Sequence, residues 1–144
     1  MKKGLITLIS IFLVIIIVII INYNNYSASK RKIIKYNSEY ELFNKNEVSG
    51  IDITSLINKA ISSNEKNGVE KDSDGLYINN GRDSVQIFIK MIINNNTYPM
   101  EKIYEIGMES FNRSFGIIKF KCVEVTYHKD TSKIATMLFE TIQY

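Results

Sequence analysis

The chain has 144 residues, a formal charge of +3, one cysteine, one histidine and no tryptophan. A single cysteine excludes an internal disulfide and a cysteine-based zinc site, and a single histidine excludes a multi-histidine metal site. Six of the 18 basic residues lie in the first 35 positions, so the remaining residues carry 12 basic against 15 acidic side chains, a balance that disfavours nucleic-acid binding.

An apolar run, Leu5–Ile21, follows a short basic N-terminus at residues 1–4. The run contains no charge and no proline, and Thr7 and Ser10 are its only polar residues. As a helix that rises about 1.5 Å per residue, it is roughly 25 Å long, close to the bilayer's hydrocarbon thickness of about 30 Å. We therefore predict a transmembrane helix over residues 5–22 that acts as an uncleaved, single-pass signal-anchor.

Two other interpretations of the run remain open. A cleavable secretory signal has a shorter apolar region followed closely by a small-x-small site, and the candidate here, Ser27–Ser29, lies beyond a polar segment. The start Lys2-Lys3-Gly4, followed by Leu5–Ile9, resembles type IV prepilins. That family is cut after the glycine and carries a glutamate five residues on, where this chain has Ile9. A lipoprotein anchor is excluded because no cysteine follows the run closely.

Basic residues flank the predicted span on both sides. Lys2 and Lys3 lie beside its N-terminal end, and the cluster Lys30–Lys35 closes a polar, basic juxtamembrane stem at residues 23–35. Basic residues next to a span favour the cytoplasm. Because the N-terminal lysines are the closer set, we expect an extracytoplasmic C-terminal domain, whereas dominance of the downstream cluster would place that domain in the cytoplasm.

Residues 36–144 are predicted to form one small α+β domain. The stem helix is expected to continue to about Asn44. Because no proline or glycine interrupts residues 5–48, it can be one continuous helix with the span, and the segment that favours a break is Asn22–Asn25. Asp52 is expected to be the N-cap of a second helix that ends near Asn64 or near Gly68. That helix has the clearest amphipathic periodicity in the chain, which is carried by Ile53, Leu56, Ile57, Ala60 and Ile61.

The second half of the domain alternates between strand and helix patterns. We expect a short strand at Leu76–Ile78, paired antiparallel with a strand at Val85–Met91, and a turn at Asn94–Tyr98. Pro99 suits the first position of a helix that runs to about Arg113. The chain should close with a hairpin of Ile117–His128, bulged near Cys122-Val123, and Ile134–Ile142. The result is two or three helices and an antiparallel sheet of about four strands.

Three groups of side chains have spacings that are compatible with chemistry. Glu70, Asp72, Asp74 and Gly75 resemble the opening of an EF-hand calcium loop, but the twelfth position is Gly81 instead of the glutamate which that family requires. This favours a solvated loop.

The second group, His128, Asp130 and Ser132, lies within one turn, so no rigid scaffold brings a triad together. The third is Cys122, whose mid-strand position favours a small buried residue over a nucleophile. We predict no catalytic, cofactor-binding or metal-binding residues and no cofactor. An uncertain hydrolase is the enzymatic alternative.

The overall layout resembles a family of uncharacterised single-span, membrane-anchored proteins of clostridia-like, low-GC bacteria. The segments that carry the resemblance are Tyr36–Phe43, Gly50–Lys59 and the closing hairpin. It implies a location and an architecture. We therefore expect a non-enzymatic envelope protein that contacts the bilayer through Leu5–Ile21 and acts through protein contacts or self-assembly; the alternative is a pilin-like or pseudopilin-like assembly subunit.

Overall fold

The computed structural model describes residues 2–44 and 47–142. The chain divides into two compact units, residues 1–35 and 36–144. The elements, in chain order, are α1 (Lys2–Asn44), β1 (Val48–Ser49), α2 (Gly50–Lys66), β2 (Gln86–Met91), β3 (Asn96–Pro99), α3 (Met100–Ile106), α4 (Met108–Phe115), β4 (Lys119–Tyr127) and β5 (Ile134–Thr141).

Helix α1 is continuous from Lys2 to Asn44, so the structure shows the unbroken alternative and not the break that was considered at Asn22–Asn25. Two polar side chains of α1 donate hydrogen bonds to carbonyl groups one turn earlier in the same helix. The Asn22 amide donates to the Val18 carbonyl at 2.8 Å, and the Ser10 hydroxyl donates to the Ile6 carbonyl at 3.0 Å. The helix is long and apolar enough to cross a membrane, and its most apolar stretch is exposed throughout. A secretory signal at the N-terminus has the same properties, so both remain compatible with α1.

The domain contains a five-stranded sheet in the order β1-β4-β5-β2-β3. The predicted C-terminal hairpin is present as β4 and β5, with the bulge at Cys122–Glu124. The expectation of an all-antiparallel sheet is wrong, because β5 also pairs in parallel with β2. The chain reaches this parallel register by passing through β3, α3, α4 and β4 between the two strands.

The predicted strand at Leu76–Ile78 is wrong, since this segment forms only an isolated bridge between Lys71 and Tyr77. Side chains from other elements hydrogen-bond to the backbone N–H and C=O groups of Tyr77, which are therefore not available to a partner strand. Glu101 accepts from the Tyr77 amide at 3.0 Å, and Gln86 donates to the Tyr77 carbonyl at 2.9 Å.

Helix α2 begins earlier than expected, with Ser49 instead of Asp52 as its N-cap. The two residues form a capping box: the Ser49 hydroxyl accepts from the Asp52 amide at 3.3 Å, and the Asp52 carboxylate accepts from the Ser49 amide at 2.8 Å. Hydrogen bonds from Ser49 lower the pKa of the Asp52 carboxyl. Asp52 is therefore part of the cap, but three residues inside the helix.

The helix expected from Pro99 to Arg113 is two helices. Gly107, with φ of 97°, separates α3 from α4. Pro99 is the last residue of β3 and the N-cap of α3 instead of its first helical residue. The turn expected at Asn94–Tyr98 lies earlier, at residues 92–95, where Asn95 adopts a positive φ of 54°.

The three shorter helices α2, α3 and α4 share one hydrophobic core with the inner face of the sheet. Alternate residues of β2 and β5 are buried, and the other sheet face is half-exposed. Tyr40 is also buried in this core, so the last turns of α1 belong to the domain. The largest fully buried side chains are Tyr40, Phe120, Phe139, Ile53, Leu56, Ile57, Ile87, Ile89, Met100, Ile134, Met137 and Val85.

Candidate functional site

A groove with an almost entirely apolar lining lies between the β2–β3 hairpin and the pair α3–α4. Its volume is about 340 Å³. We call it the apolar groove; its lining residues are Met91, Ile93, Asn94, Tyr98, Ile103, Ile106, Phe111 and Phe115. None of these side chains carries a formal charge.

Local backbone geometry opens this groove. The β2–β3 turn leaves Ile93 89% exposed, and the break at Gly107 leaves Ile106, the last residue of α3, 65% exposed. The rings of Phe111 and Phe115, 5.1 Å apart, form part of the lining from α4. A smaller cavity of about 100 Å³ also has Ile93 in its wall and extends the apolar surface to Ile118 and Ile142.

The apolar groove is suited to binding and poorly suited to acid–base chemistry. Among the described lining residues, the only titratable group is the Tyr98 hydroxyl, which accepts from the side-chain amides of Asn94 and Asn96 at 3.3 and 3.4 Å. Contiguous exposed apolar surface on a soluble domain marks sites of interaction with proteins, ligands or membranes.

A second pocket, of about 220 Å³, lies between the last turns of α1 and one face of α2. We call it the tyrosine pocket; it is lined by Tyr36, Glu39, Tyr40, Lys59, Ser62, Ser63 and Lys66. All seven residues belong to the 36–144 unit. The two tyrosine rings lie 5.0 Å apart, and Lys59 pairs with Glu39 at 2.7 Å.

The two tyrosine hydroxyls of this pocket are buried. The two hydroxyl groups lie close to each other and to the Ser63 side chain, and these neighbours affect their acidity. Burial raises the pKa of both Tyr36 and Tyr40 above the usual tyrosine value. Both side chains therefore remain neutral hydrogen-bond donors at physiological pH.

The acidic loop at Glu70–Gly75 is a hydrogen-bonded turn. One carboxylate oxygen of Asp72 accepts from the amides of Asp74 and Leu76, each at 2.9 Å. Within residues 2–44 and 47–142, no group of three histidine, cysteine or carboxylate side chains is arranged to hold a metal ion.

His128 is buried and joins two loops of the domain. Its Nε2 lies 2.6 Å from the Ser84 carbonyl, and its backbone exchanges hydrogen bonds with Ser132 and Lys133. Nearby, Lys133 pairs with Asp83. The structure thus connects His128 to the 79–84 loop and does not bring it together with Asp130 and Ser132 as a triad.

Cys122 is buried in β4 and contacts the Glu124 carbonyl through its sulfur at 3.4 Å. Burial raises the pKa of the thiol, which keeps it protonated and disfavours the nucleophilic thiolate. Its position agrees with the small buried residue expected from the sequence.

Sequence reasoning missed both pockets. The apolar groove had one visible signal, the pair Ile92-Ile93 just after a predicted strand, of which Ile93 lines the groove. The tyrosine pocket had none, because Tyr36 and Tyr40 meet the polar face of α2 only after folding. Comparison of the chain with family models, curated proteins and solved structures found no match.

Proposed function

We propose that this chain is a membrane-anchored, non-enzymatic envelope protein whose domain binds another protein through the apolar groove. The observation that carries the proposal is the exposure of Ile93 and Ile106 beside a groove whose lining has no charge. Contiguous exposed apolar surface that is built into the fold is best explained by a partner that covers it.

The proposed occupant is a cluster of apolar side chains on a partner polypeptide. Protein interfaces concentrate their binding energy in a few aromatic or aliphatic anchors that fill pockets, surrounded by a polar rim. The groove supplies the pocket, and the Asn94 amide and the Tyr98 hydroxyl supply rim groups that can pair with a partner's backbone.

We propose that Leu5–Ile21 anchors the protein in the membrane. The described side chains of this stretch are exposed, and its polar Ser10 satisfies its hydrogen bond on the helix itself, as a lipid environment requires. We place the domain outside the cytoplasm, with Lys2 and Lys3 inside. We also propose membership of the clostridial membrane-anchored family that the layout resembles.

Site-specific photo-crosslinking in living cells tests the groove. A photo-reactive amino acid at Ile93 should give one protein adduct, whereas the same group at the exposed Thr126 of β4 should not. Adding Ile106→Asp should abolish the adduct without unfolding the domain, because this side chain is mostly exposed. Adducts with lipid alone, or a protein adduct that survives Ile106→Asp, would contradict the proposal.

The alternative function, a pilin-like or pseudopilin-like assembly subunit, is favoured by one observation. Helix α1 is continuous over 43 residues, and an α+β domain follows it along the chain, which is the order of elements in a long assembly helix with a headgroup. Ile9 stands where the prepilin family has its glutamate. Loss of Met1–Gly4 from the mature protein would support this alternative.

A further inference from the structure

Three consecutive basic residues follow the apolar run on the same helix. Lys30, Arg31 and Lys32 lie in α1 and are exposed; we call them the basic triplet. Among the described residues, none of the three takes part in a salt bridge. Glu39 is the first acidic residue in the sequence, so no carboxylate lies one helical turn from the triplet in either direction. The helix itself therefore supplies no counter-charge to the triplet.

The charge pattern around the triplet is unfavourable for the helix alone. Arg31 and Lys35 are four residues apart, a spacing at which like charges destabilise a helix. Repulsion of this kind is relieved when an external anionic surface lies beside the charges. The pattern therefore favours an anionic partner outside the helix.

The position of the triplet along α1 indicates which surface this is. The triplet follows Ile21 by 9 to 11 residues, which is about 14–17 Å along a continuous helix. The headgroup layer takes up about 5–8 Å of this distance. Helix side chains point toward the N-terminus, here toward the apolar run, and long basic side chains extend their charge toward the headgroups. The remaining distance is comparable to the Debye length of about 8 Å at physiological salt.

Two tyrosines lie between the apolar run and the triplet. Tyr23 and Tyr26 are 69% and 67% exposed. Tyrosine is enriched at the interface between hydrocarbon and water, where its ring is in the apolar layer and its hydroxyl is in the polar layer. The order apolar, aromatic, basic along α1 thus matches the order hydrocarbon, interface, phosphate across one leaflet.

We propose that the basic triplet binds the phosphate groups of anionic lipids in the leaflet on its side of the apolar run. This inference rests on the membrane anchoring proposed above and adds the class of lipid headgroup. The contact holds the stem at the membrane surface and gives the protein a preference for regions of the bilayer that are rich in anionic lipid.

Native mass spectrometry of the full chain released from lipid nanodiscs tests the proposal. The discs contain equal amounts of phosphatidylglycerol and phosphatidylcholine, and the lipids that remain bound are identified. We expect phosphatidylglycerol to be enriched on the wild type. Combining Lys30→Gln, Arg31→Gln and Lys32→Gln should lower the enrichment about tenfold or more, because each basic residue near an anionic surface contributes about fivefold in affinity.

The matched control combines Lys119→Gln, Lys121→Gln and Lys129→Gln. These lysines are exposed in the domain, and their substitution changes the net charge by the same amount. The control should retain the enrichment of the wild type. Glutamine is a good helix former, so the triplet variant should keep its helix content by circular dichroism. Equal enrichment in the triplet variant and the wild type, or an equal loss in the control, would overturn the proposal.

Two further measurements separate the lipid from free phosphate and the triplet from the anchor. Glycerol 3-phosphate added at constant ionic strength should not displace phosphatidylglycerol; displacement would show that the triplet binds the free anion and would overturn the proposal. A chain that does not enter discs of phosphatidylcholine alone would contradict the anchor and with it this inference. A chain that enters both kinds of disc without a lipid preference would contradict only the role of the triplet.

Discussion

At the residue scale, Asn64 connects α2 to the beginning of β2 through one buried side chain. Its amide donates to the Val85 carbonyl and its oxygen accepts from the Val85 amide, each at 2.8 Å. These two hydrogen bonds satisfy the backbone N–H and C=O groups of Val85. Val85 precedes β2, so neither group is paired with a neighbouring strand.

We expect Asn64→Ala to lower the free energy of unfolding by about 2–4 kcal/mol, because it leaves both backbone groups of Val85 buried without partners. Urea unfolding of the full chain in detergent, followed by tyrosine fluorescence, measures the change. The matched control is Asn67→Ala, since the Asn67 side chain donates a long, exposed hydrogen bond of 3.4 Å to the Asp83 carbonyl, and the substitution leaves the backbone amide in place. Similar losses in both variants would show that the buried bridge is not important.

The buried tyrosines predict how stability depends on alkaline pH. Burial raises the pKa of Tyr36 and Tyr40, so the unfolded chain, with a tyrosine pKa of about 10, loses protons that the folded chain keeps. Their contribution to stability is complete below about pH 10 and is lost as the pH rises above it. The thermal midpoint should therefore fall less steeply above about pH 10 in Tyr40→Phe than in the wild type; parallel curves would contradict this.

At the element scale, the start of α2 packs against the end of α4 at two glycines. The Gly50 amide donates to the Ile118 carbonyl at 3.0 Å, and the Ile51 amide donates to the Gly116 carbonyl at 3.3 Å. A Cβ atom on Gly50 would overlap the Phe115 carbonyl, which is backbone and cannot rotate away. This contact also fixes Phe115 in the wall of the apolar groove.

We expect Gly50→Ala to cost about 1–3 kcal/mol or more, although alanine is the better helix former, because α2 and α4 must move apart. Urea unfolding measures the loss. Ser55→Ala, at an exposed site on the same helix, is the control and should stay within about 0.5 kcal/mol of the wild type. An unchanged or more stable Gly50→Ala protein would show that the two helices do not meet as closely as described.

The elements that the sequence predicted are those with a long, regular period. The amphipathic repeat of α2 and the alternation of β4 and β5 are local properties, and the shift at Cys122-Val123 was visible as a broken alternation. β1 has two residues and β3 has four, and both exist because a partner strand lies beside them. The parallel register of β2 with β5 joins residues about 50 positions apart, which no local pattern records.

The pockets were less predictable because they too depend on contacts between residues that are far apart in the sequence. Ile93, Ile106 and Phe115 lie on three different elements, and only the break at Gly107 and the turn before β3 bring them around one groove. The helical periodicity of apolar residues continues across Gly107, so periodicity alone predicted one helix. The groove, which depends on the break at Gly107, could not be predicted from it.

At the scale of the whole molecule, the chain combines an exposed apolar helix with a domain that has its own core. The net positive charge belongs to the first 35 residues, which contain the proposed span and its flanks, whereas the domain is slightly acidic. This division is expected of a protein that is held at a membrane by one helix and performs its binding with the domain.

Anchoring through Leu5–Ile21 is tested most directly by the intact mass of the chain recovered from membranes after an alkaline carbonate wash. We expect the chain to remain in the washed membranes with the mass of its 144 residues, 16.6 kDa, because an uncleaved apolar helix is not removed by salt or base. Recovery of a shortened chain in the soluble fraction would contradict anchoring and identify α1 as a cleaved signal, and a membrane-bound chain that lacks Met1–Gly4 would identify a processed, pilin-like subunit.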